Sequence, residues 1–430
     1  MTHSSLIVEP SKGLRGRIRM PGDKSISHRA LLFNAMACGT ASLEGVLDSL
    51  DVKATLRCIQ RMGVDASMSG VVGCSGVFVA PNAALDCGNS GTTARLLLGI
   101  LAGQDFSSRI IGDASLSTRP MRRVTMPLAR MGAQFSESGD GLPLDVQGGP
   151  LTAVEHSLSV ASAQVKTALL LAGLQAKGTT VVREPAVSRD HTERMFAAMG
   201  VEVQREQHAD GGHVLSMSGG QALRPFSGRV PGDISSAAFF MVAATVVPNS
   251  DLVVEGVGLN ETRSGVLDVL SRMGADIRTE DRWMEGGEPV GTLRIRHSAL
   301  NATSINGAEI PRLIDELPII GVAAAFADGV TVVSDAEELR VKESDRCAST
   351  VRLCRSMGAN AAERHDGFSI EGRKGQHANG FVFKSALDHR MAMAGVIAGL
   401  HAERSCTVVG TESISSSFPT FHALLEDAHG

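Results

Sequence analysis

The heptapeptide RVPGDIS, Arg229–Ser235, repeats the heptapeptide RMPGDKS, Arg19–Ser25, at a distance of 210 residues. Pro-Gly-Asp is typical of a turn, and an apolar, helix-like run follows it in both copies. A motif repeated after about half of a 430-residue chain indicates two related halves. We therefore predict a hinge at these two segments, with chain crossings near Pro21 and Pro231.

A shorter repeat subdivides each half. A helix-like segment ends in Met-Gly at five places: Met62, Met131, Met199, Met273 and Met357. The steps between these methionines are 69, 68, 74 and 84 residues. Each glycine stands where a helix C-terminus takes a left-handed residue, and a short strand-like run follows. Together with six helix-like segments that have polar starts, this spacing predicts six units, three in each half.

The distance between the two Pro-Gly-Asp copies equals three of these units. The segment up to Met20 then belongs most simply with the second group of three. We therefore predict a discontinuous domain of residues 1–20 and 231–430, with repeats four to six. Residues 21–230 form a continuous domain with repeats one to three.

The composition is that of a soluble globular protein, with 43% hydrophobic residues, 20% charged residues and a formal net charge of −5. Such a chain has no overall basic field to attract nucleic acid or an anionic membrane. One tryptophan, 14 phenylalanines and no tyrosine leave few rings for stacking on bases. No transmembrane-like stretch or signal-like N-terminus is visible, so we predict a cytoplasmic protein that binds neither nucleic acid nor membranes.

The seven cysteines indicate no metal site. Their number is odd, no pair is spaced C-x-x-C, and none stands beside a histidine at metal-ligand spacing. They are typical of small buried residues in a reducing compartment. We predict no metal and no cofactor.

Several helix starts combine small hydroxyls with cations, against the preference of the helix dipole. The first contains Lys24, Ser25 and Arg29, and the sixth contains Arg390. Such starts offer unpaired N–H groups to an anion, so six of them around one interdomain cleft would hold a strongly anionic ligand. The alternative is ordinary capping, which is favoured for Thr93, Ser235 and Ser236.

The segment LRVKESDR, Leu339–Arg346, supplies further charges. On a helix, Lys342 and Arg346 share a face, and Glu343 neighbours Arg346. The alternative here is a solvated helix face without function. Two cations at a helix start favour an anion site instead.

Taken together and in order, seven motifs resemble the 5-enolpyruvylshikimate-3-phosphate synthase family over essentially the whole chain. They are PGDKSISHRALL, GNSGTTARLL, STRPM, SAQVK, RDHTE, LRVKESDR and DHRMAM. The resemblance implies an α/β fold, a two-domain inside-out α/β barrel in which each domain has three βαβαββ repeats with buried helices. It also implies that the chain transfers the enolpyruvyl group of phosphoenolpyruvate to the 5-hydroxyl of shikimate 3-phosphate, releasing phosphate, as a cytoplasmic monomer.

The resemblance further implies the site residues. Those for shikimate 3-phosphate are Lys24, Ser25, Arg29, Ser162, Ala163, Gln164, Arg189, Asp315 and Lys342. Those for phosphoenolpyruvate are Lys24, Gly91, Arg119, Gln164, Arg346 and Arg390. The catalytic residues are Asp315, Glu343 and Lys24, because the reaction needs a base for the hydroxyl and an acid for the methylene. Asp315 as a plain helix cap is the alternative.

Two details qualify the resemblance. SAQVK, RDHTE and NETR resemble the second, glyphosate-tolerant class, whereas Gly91 leaves room for the inhibitor, so we expect partial tolerance. Ser416 stands where first-class members have a lysine that contacts phosphoenolpyruvate.

Two other functions compete with this one. The first is a sister transferase acting on a nucleotide sugar, which needs a cysteine that the loop GDASLSTRP lacks. The second is a phosphate-ligand sensor without catalysis, against which Asp315 and Glu343 argue.

Overall fold

The structure is a computed structural model that describes residues 4–136, 139–207 and 212–429. Residues 1–3, with which the predicted discontinuous domain begins, and residue 430, with which it ends, lie outside the described residues. Within the described ranges, no helix combines the length and the apolar composition needed to cross a bilayer.

The α-helices, in chain order, are α1 (Lys24–Met36), α2 (Leu50–Arg61), α3 (Gly91–Leu101), α4 (Ala114–Ser117), α5 (Arg122–Met131), α6 (Ala163–Gln175), α7 (His191–Ala198), α8 (Ile234–Val246), α9 (Gly265–Arg272), α10 (Ile310–Leu313), α11 (Leu317–Phe326), α12 (Arg346–Ser356), α13 (His389–Gly399) and α14 (Phe421–His429). Short 3₁₀ turns cover Gly307–Glu309, Ile314–Glu316, Glu337–Val341 and Thr411–Ser416.

The strands, in chain order, are β1 (Ser5–Val8), β2 (Arg15–Arg19), β3 (Cys38–Glu44), β4 (Asp65–Ser67), β5 (Gly70–Cys74), β6 (Leu85–Asp86), β7 (Ser107–Ile111), β8 (Gln134–Phe135), β9 (Leu144–Gln147), β10 (Leu151–Thr152), β11 (Glu155–Ser157), β12 (Ala176–Lys177), β13 (Thr179–Glu184), β14 (Gln204–Gln207), β15 (His213–Ser218), β16 (Gly228–Arg229), β17 (Asp251–Gly258), β18 (Asp276–Glu285), β19 (Glu288–Arg296), β20 (Ser304–Ile305), β21 (Val330–Val333), β22 (Asn360–Arg364), β23 (Gly367–Glu371), β24 (Val382–Lys384) and β25 (Cys406–Val409).

The chain divides into two compact units. The discontinuous unit comprises the described residues up to Pro21, Pro231–Met284 and those from Pro289 onward. The continuous unit comprises the described residues of Gly22–Val230 together with Glu285–Glu288. Each unit has its own hydrophobic core.

Sheets with a similar strand order recur within each unit. In the continuous unit, three sheets have the orders β16-β3-β5-β4, β6-β7-β9-β8 and β11-β13-β15-β14, with a parallel first pair and antiparallel pairs after it. A two-stranded ladder, β10-β12, is added there. In the discontinuous unit, the described residues form the orders β2-β17-β19-β18, β20-β21-β23-β22 and β24-β25-β1. A buried helix joins the two parallel strands in four of these sheets, as in a βαβ unit: α3 between β6 and β7, α6 between β11 and β13, α11 between β20 and β21, and α13 between β24 and β25.

The two Pro-Gly-Asp segments explain the discontinuity. The strand β2 leads into α1 of the continuous unit, yet it pairs in parallel with β17 of the discontinuous unit. Conversely, β16 leads into α8 of the discontinuous unit and pairs in parallel with β3. Each connection therefore passes between units directly after its strand.

The Met-Gly repeat marks the end of the second helix in five repeats. The glycines have positive φ angles of 86°, 123°, 84°, 97° and 93° at Gly63, Gly132, Gly200, Gly274 and Gly358. The methionines before them are at most 1% exposed. The prediction that these glycines end helices is therefore confirmed, and the methionines before them lie in the core.

The first helix of each repeat is buried on nearly every side. Every residue of α8, α11 and α13 is buried, which accounts for their apolar sequences. Close packing also aligns α3 with α6: a Cβ at Gly99 would lie 2.3 Å from the backbone oxygen of Ala168. Only glycine allows this approach, and it sets the starts of α3 and α6 side by side.

Candidate active site

Most of the predicted site residues lie at or near the starts of the buried helices. Lys24, Gly91, Ala163 and His389 are the first residues of α1, α3, α6 and α13. Asp23, Ser90, Ser162, Asp233 and Asp388 cap these helices and α8 with their side chains. The starts therefore combine cations with backbone N–H groups, as an anion site requires.

Some capping predictions are wrong. Ser90, not Thr93, caps α3, and Asp233, not Ser235 or Ser236, caps α8. Local spacing allowed either residue in each case, and the observed cap is the one whose backbone leaves the helix. Asp315 is not a cap, because α11 begins at Leu317 and its N-cap position is Glu316.

In the continuous unit, Lys24 is held by one carboxylate. Its Nζ lies 3.1 Å from Asp51 Oδ2, and the two side chains are 21% and 12% exposed. The backbone oxygen of Asp51 accepts a hydrogen bond from Thr93 Oγ1 at 3.4 Å, which ties the start of α2 to the start of α3. Lys24 is thus positioned without being buried.

Arg29 lies deeper and has mainly neutral partners. Its Nε and Nη2 donate to the hydroxyls of Thr192 and Thr167, both at 2.8 Å, and its Nη1 donates to the backbone oxygen of Ser25 at 2.9 Å. Burial lowers the pKa of Arg29 to about 10, although the charges of Glu193 and Asp23 oppose the shift; the charge of Arg189 adds to it. Arg29 is thus a buried cation near a second guanidinium group, and such a pair is suited to an anion.

The starts of α3 and α6 bring Gly91, Gln164 and Arg119 together. Arg95 Nη1 donates to Gln164 Oε1 at 2.8 Å, and Gln164 Nε2 donates to Thr92 Oγ1 at 3.0 Å. A Cβ built on Gly91 would lie 2.8 Å from Arg95 Nη1 and 3.6 Å from Arg119 Nη1. The glycine therefore faces Arg119, which is predicted to hold phosphoenolpyruvate, and also Arg95, for which no such role was predicted.

In the discontinuous unit, the carboxylates gather around one buried arginine. The Arg346 side chain is 1% exposed. It donates from Nε to Asp388 Oδ2 at 2.8 Å, from Nη1 to Asp315 Oδ1 at 3.3 Å, and from Nη2 to Glu343. Burial alone would lower the pKa of Arg346, but Asp388 and Glu343 raise it above its usual value. The same contact keeps the pKa of buried Asp388 below its usual value, although burial opposes this.

Lys342 joins this group from a loop. Its Nζ lies 3.5 Å from Asp315 Oδ1. It does not share a helix face with Arg346, as its spacing predicted, because the helix α12 begins only at Arg346. The helix start at Arg346 is confirmed, whereas the helical position of Lys342 is wrong.

Arg390 belongs to a neighbouring buried cluster. Its Nη1 donates to Ser235 Oγ at 2.8 Å, to the backbone oxygen of Asp315 at 3.0 Å, and to Glu316 Oε1 at 3.3 Å. Glu316 also pairs with Arg263, whose Nη1 lies 2.6 Å from Glu316 Oε2.

Asp388, Glu316 and Arg263 were not predicted as site residues. Asp388 and Arg263 stand inside the quoted segments DHRMAM and NETR, and Glu316 directly follows Asp315. The buried partners of these residues are distant in the chain, so no single segment indicates the pairs. Ser416, at the position of the missing lysine, donates to the backbone oxygen of Ser413 at 2.7 Å.

No group of three or more metal-binding side chains suited to an ion occurs among the described residues. The functional groups of the predicted site are guanidinium groups, ammonium groups, helix starts and carboxylates. Such a set binds phosphates and carboxylates and moves protons.

Comparison with known proteins identifies the family. The model of the family EPSP synthase (3-phosphoshikimate 1-carboxyvinyltransferase) matches residues 8–425. This chain belongs to the EPSP synthase family. The 3-phosphoshikimate 1-carboxyvinyltransferase of Desulforamulus reducens is 48% identical over 98% of this chain and 99% of its own length. The one from a Synechococcus strain is 48% identical over 97% of both chains.

Solved structures agree with this assignment. The EPSP synthase of Acinetobacter baumannii superposes with a TM-score of 0.87 at 41% identity, covering 99% of this chain and 98% of its own. The enolpyruvyl transferase of Streptomyces tendae, at 17% identity and a TM-score of 0.79, shares the fold. The α/β fold and the EPSP synthase family predicted from the motifs are confirmed.

Proposed function

We propose that this chain forms the enolpyruvyl ether at the 5-hydroxyl of shikimate 3-phosphate by addition and elimination, with the residues named below. Its family makes it a transferase that moves the enolpyruvyl group of phosphoenolpyruvate onto shikimate 3-phosphate in the shikimate pathway. The roles of individual residues are supported mainly by one observation. Asp315 and Glu343 pair with buried Arg346, and Lys342 lies beside Asp315.

Two carboxylates serve the two proton transfers. In the addition, the 5-oxygen bonds to C2 of phosphoenolpyruvate, the hydroxyl loses its proton to a base, and C3 gains a proton from an acid. In the elimination, C3 returns a proton, the C2–O bond to phosphate breaks, and phosphate leaves with that bonding pair. Asp315 and Glu343 supply the base and the acid, and Lys24 stabilises the departing phosphate by its charge.

The cations divide between the two substrates. The residues proposed for the carboxylate and phosphate of phosphoenolpyruvate are Lys24, Gly91, Arg119, Gln164, Arg346 and Arg390. Guanidinium groups suit both anions because they donate two parallel hydrogen bonds to paired oxygens. The residues proposed for shikimate 3-phosphate are Lys24, Ser25, Arg29, Ser162, Ala163, Gln164, Arg189, Asp315 and Lys342. The placement of Arg189 near the buried Arg29 supports an anion at that place.

We also propose the domain bounds, the oligomeric state and the compartment of the enzyme. It is a monomer with domains of residues 1–20 plus 231–430 and of residues 21–230, and it acts in the cytoplasm without metal or cofactor. All seven cysteines lie in the described residues and are free thiols, which supports a reducing compartment.

One assay tests the function directly. Purified enzyme with phosphoenolpyruvate should release phosphate only when shikimate 3-phosphate is present. Glu363→Gln, a change at an exposed carboxylate outside the site, is the matched control and should keep the full rate. Phosphate release that is independent of shikimate 3-phosphate, or no release at all, contradicts the proposal.

A further inference from the structure

A buried ionic cluster in the discontinuous unit includes Arg390, one of the proposed site residues. It consists of Ser235 on α8, Arg263 before α9, Glu316 before α11 and Arg390 on α13. The side chains of Glu316, Arg263 and Arg390 are 0%, 4% and 9% exposed. We call these four residues the Glu316 cluster.

One carboxylate serves both guanidinium groups of the cluster. Arg263 Nη1 donates to Glu316 Oε2 at 2.6 Å, and Arg390 Nη1 donates to Glu316 Oε1 at 3.3 Å. The Ser235 hydroxyl donates to Glu316 and accepts from both arginines. Burial favours the neutral form of Glu316, but Arg263 and Arg390 outweigh it and lower the pKa of that carboxyl.

The cluster uses only one nitrogen of Arg390. Among the described residues, every hydrogen bond from its guanidinium group starts at Nη1, to Ser235, Glu316 and the backbone oxygen of Asp315. The edge formed by Nε and Nη2 is therefore left for a pair of ligand oxygens. A guanidinium group with one corner fixed presents that edge in a single orientation, which bidentate binding of a carboxylate or phosphate requires.

We infer that Glu316, oriented by Arg263 and Ser235, is the positioning residue that aims Arg390 at phosphoenolpyruvate. This inference rests on the proposed function of Arg390. Glu316 also follows Asp315 directly in the chain, and Arg390 Nη1 holds the Asp315 backbone oxygen. The cluster thus fixes the position of a binding arginine relative to the backbone of the proposed base.

Stability alone does not account for such a cluster. Replacing a buried ion pair by apolar groups is often neutral or stabilising, because desolvating the charges costs as much as their attraction returns. A positioning role predicts instead an effect on one substrate. A merely structural role predicts a loss of thermal stability with both Michaelis constants unchanged or raised alike.

Glu316→Gln is the test, because it keeps the shape of the side chain and removes the charge. We expect the KM for phosphoenolpyruvate to rise by about tenfold, the loss typical of one charge-assisted hydrogen bond. The KM for shikimate 3-phosphate and kcat at saturating phosphoenolpyruvate should change by less than about threefold, because catalytic groups stay in place. Arg390→Ala alone should raise the same KM, and adding Glu316→Gln to it should have little further effect.

Asp251→Asn is the matched control. It breaks the pair in which Asp251 accepts from Arg294 Nε at 2.7 Å and from Nη2 at 2.8 Å, in the same unit but outside the cluster. It should leave both Michaelis constants unchanged. Where Glu316→Gln does not fold, Ser235→Ala removes one acceptor of Arg390 Nη1 and should produce the same selective rise at smaller size.

The outcomes separate the two proposals. Active wild-type enzyme with an unchanged KM for phosphoenolpyruvate in Glu316→Gln, or in Ser235→Ala where that variant replaces it, overturns the inference and leaves the function intact. Equal rises of both Michaelis constants overturn it as well. Wild-type enzyme without phosphate release overturns the function, and the inference falls with it.

Discussion

Arg29 in the continuous unit and Arg346 in the discontinuous unit are both at most 2% exposed, yet their partners differ. Arg29 donates to two threonine hydroxyls and one backbone oxygen, whereas Arg346 donates to three carboxylates. Burial therefore lowers the pKa of Arg29 to about 10, while its carboxylate partners raise that of Arg346.

The difference divides the work of the enzyme. A cation with neutral partners keeps its charge for a ligand, so Arg29 is suited to holding an anion. Arg346 is compensated by carboxylates, two of which, Asp315 and Glu343, are the proposed proton-transfer groups. We expect substitutions at the proposed binding cations to change KM, and substitutions at Asp315 and Glu343 to change kcat.

The largest expected effect is on the proton chemistry of the discontinuous unit. Asp315→Asn keeps the shape of the side chain but removes the proposed proton-transfer group. We expect kcat to fall by about 10²–10⁴-fold, the usual contribution of a general acid or base. Phosphate release at saturating substrates measures it, and Asp328→Asn, at an exposed ion pair with Lys374, serves as the control. A loss below fivefold would remove Asp315 from the chemistry.

The second effect concerns binding in the continuous unit. Gly91→Ala places a methyl group 2.8 Å from Arg95 Nη1 and 3.6 Å from Arg119 Nη1. Overpacking of this kind costs about 1–3 kcal/mol, and Arg95 can shift because the contact is the end of a flexible side chain. We expect the inhibition constant of glyphosate to rise more than the KM for phosphoenolpyruvate, with kcat little changed.

The control for this substitution is Gly149→Ala, since a Cβ at Gly149 meets no atom within 4 Å. It should leave the inhibition constant at the wild-type value. The assignment of Gly91 to the phosphoenolpyruvate pocket fails if Gly91→Ala has no effect on glyphosate inhibition.

The third effect is a pH dependence of stability that arises from the buried His28 beside the cations of the continuous unit. Burial, and then the charges of Lys24 and Arg29, lower the pKa of His28 to about 3. Between pH 6.5 and pH 3 the unfolded chain binds a proton at this histidine and the folded chain does not. Stability therefore falls as the pH falls, by about 2 kcal/mol between pH 6.5 and pH 5 from this residue.

His28→Asn should flatten that dependence. Asparagine keeps a polar atom near Thr55 Oγ1, which lies 2.7 Å from His28 Nδ1, but it does not titrate. Urea unfolding at several pH values measures the slope, and His365→Asn, at a side chain that is 90% exposed, is the control. Identical slopes for wild type and His28→Asn would show that another group causes the loss.

The smallest effect sharpens the contrast between charge and geometry. Arg119→Lys keeps the positive charge but loses the paired donors, of which Nη2 now donates to Asn89 Oδ1 at 2.8 Å. We expect the KM for phosphoenolpyruvate to rise by about tenfold, and that for shikimate 3-phosphate by much less. Steady-state kinetics with each substrate varied in turn measures this, and equal rises would contradict the assignment of Arg119.

Much of the fold could be predicted because its signals are local. The Met-Gly pairs end helices at Met62, Met131, Met199, Met273 and Met357 because glycine takes the left-handed residue that follows. The first helices of the repeats have sequences without a polar face, which is typical of buried helices. The capping predictions were wrong where two nearby residues could each cap the same helix, as with Ser90 and Thr93 at the start of α3.

The sequence indicated the residues of the candidate site but not the contacts that these residues make. Asp315, Lys342, Glu343 and Arg346 were singled out, and the structure brings them together. Their buried partners were missed, because Arg346 meets Asp388 across 42 residues and Arg390 meets Ser235 across 155. No pattern within one segment encodes a pair of that separation.

The sequence by itself determined where five helices end, how often the unit repeats, and which residue types stand near each helix start. Backbone conformation depends on neighbours a few residues away, so a single segment carries that information. Only the tertiary structure decided which arginines receive carboxylates and which receive hydroxyls. That choice depends on atoms within about 3 Å, and packing alone brings residues such as Glu316 and Arg390 to that distance.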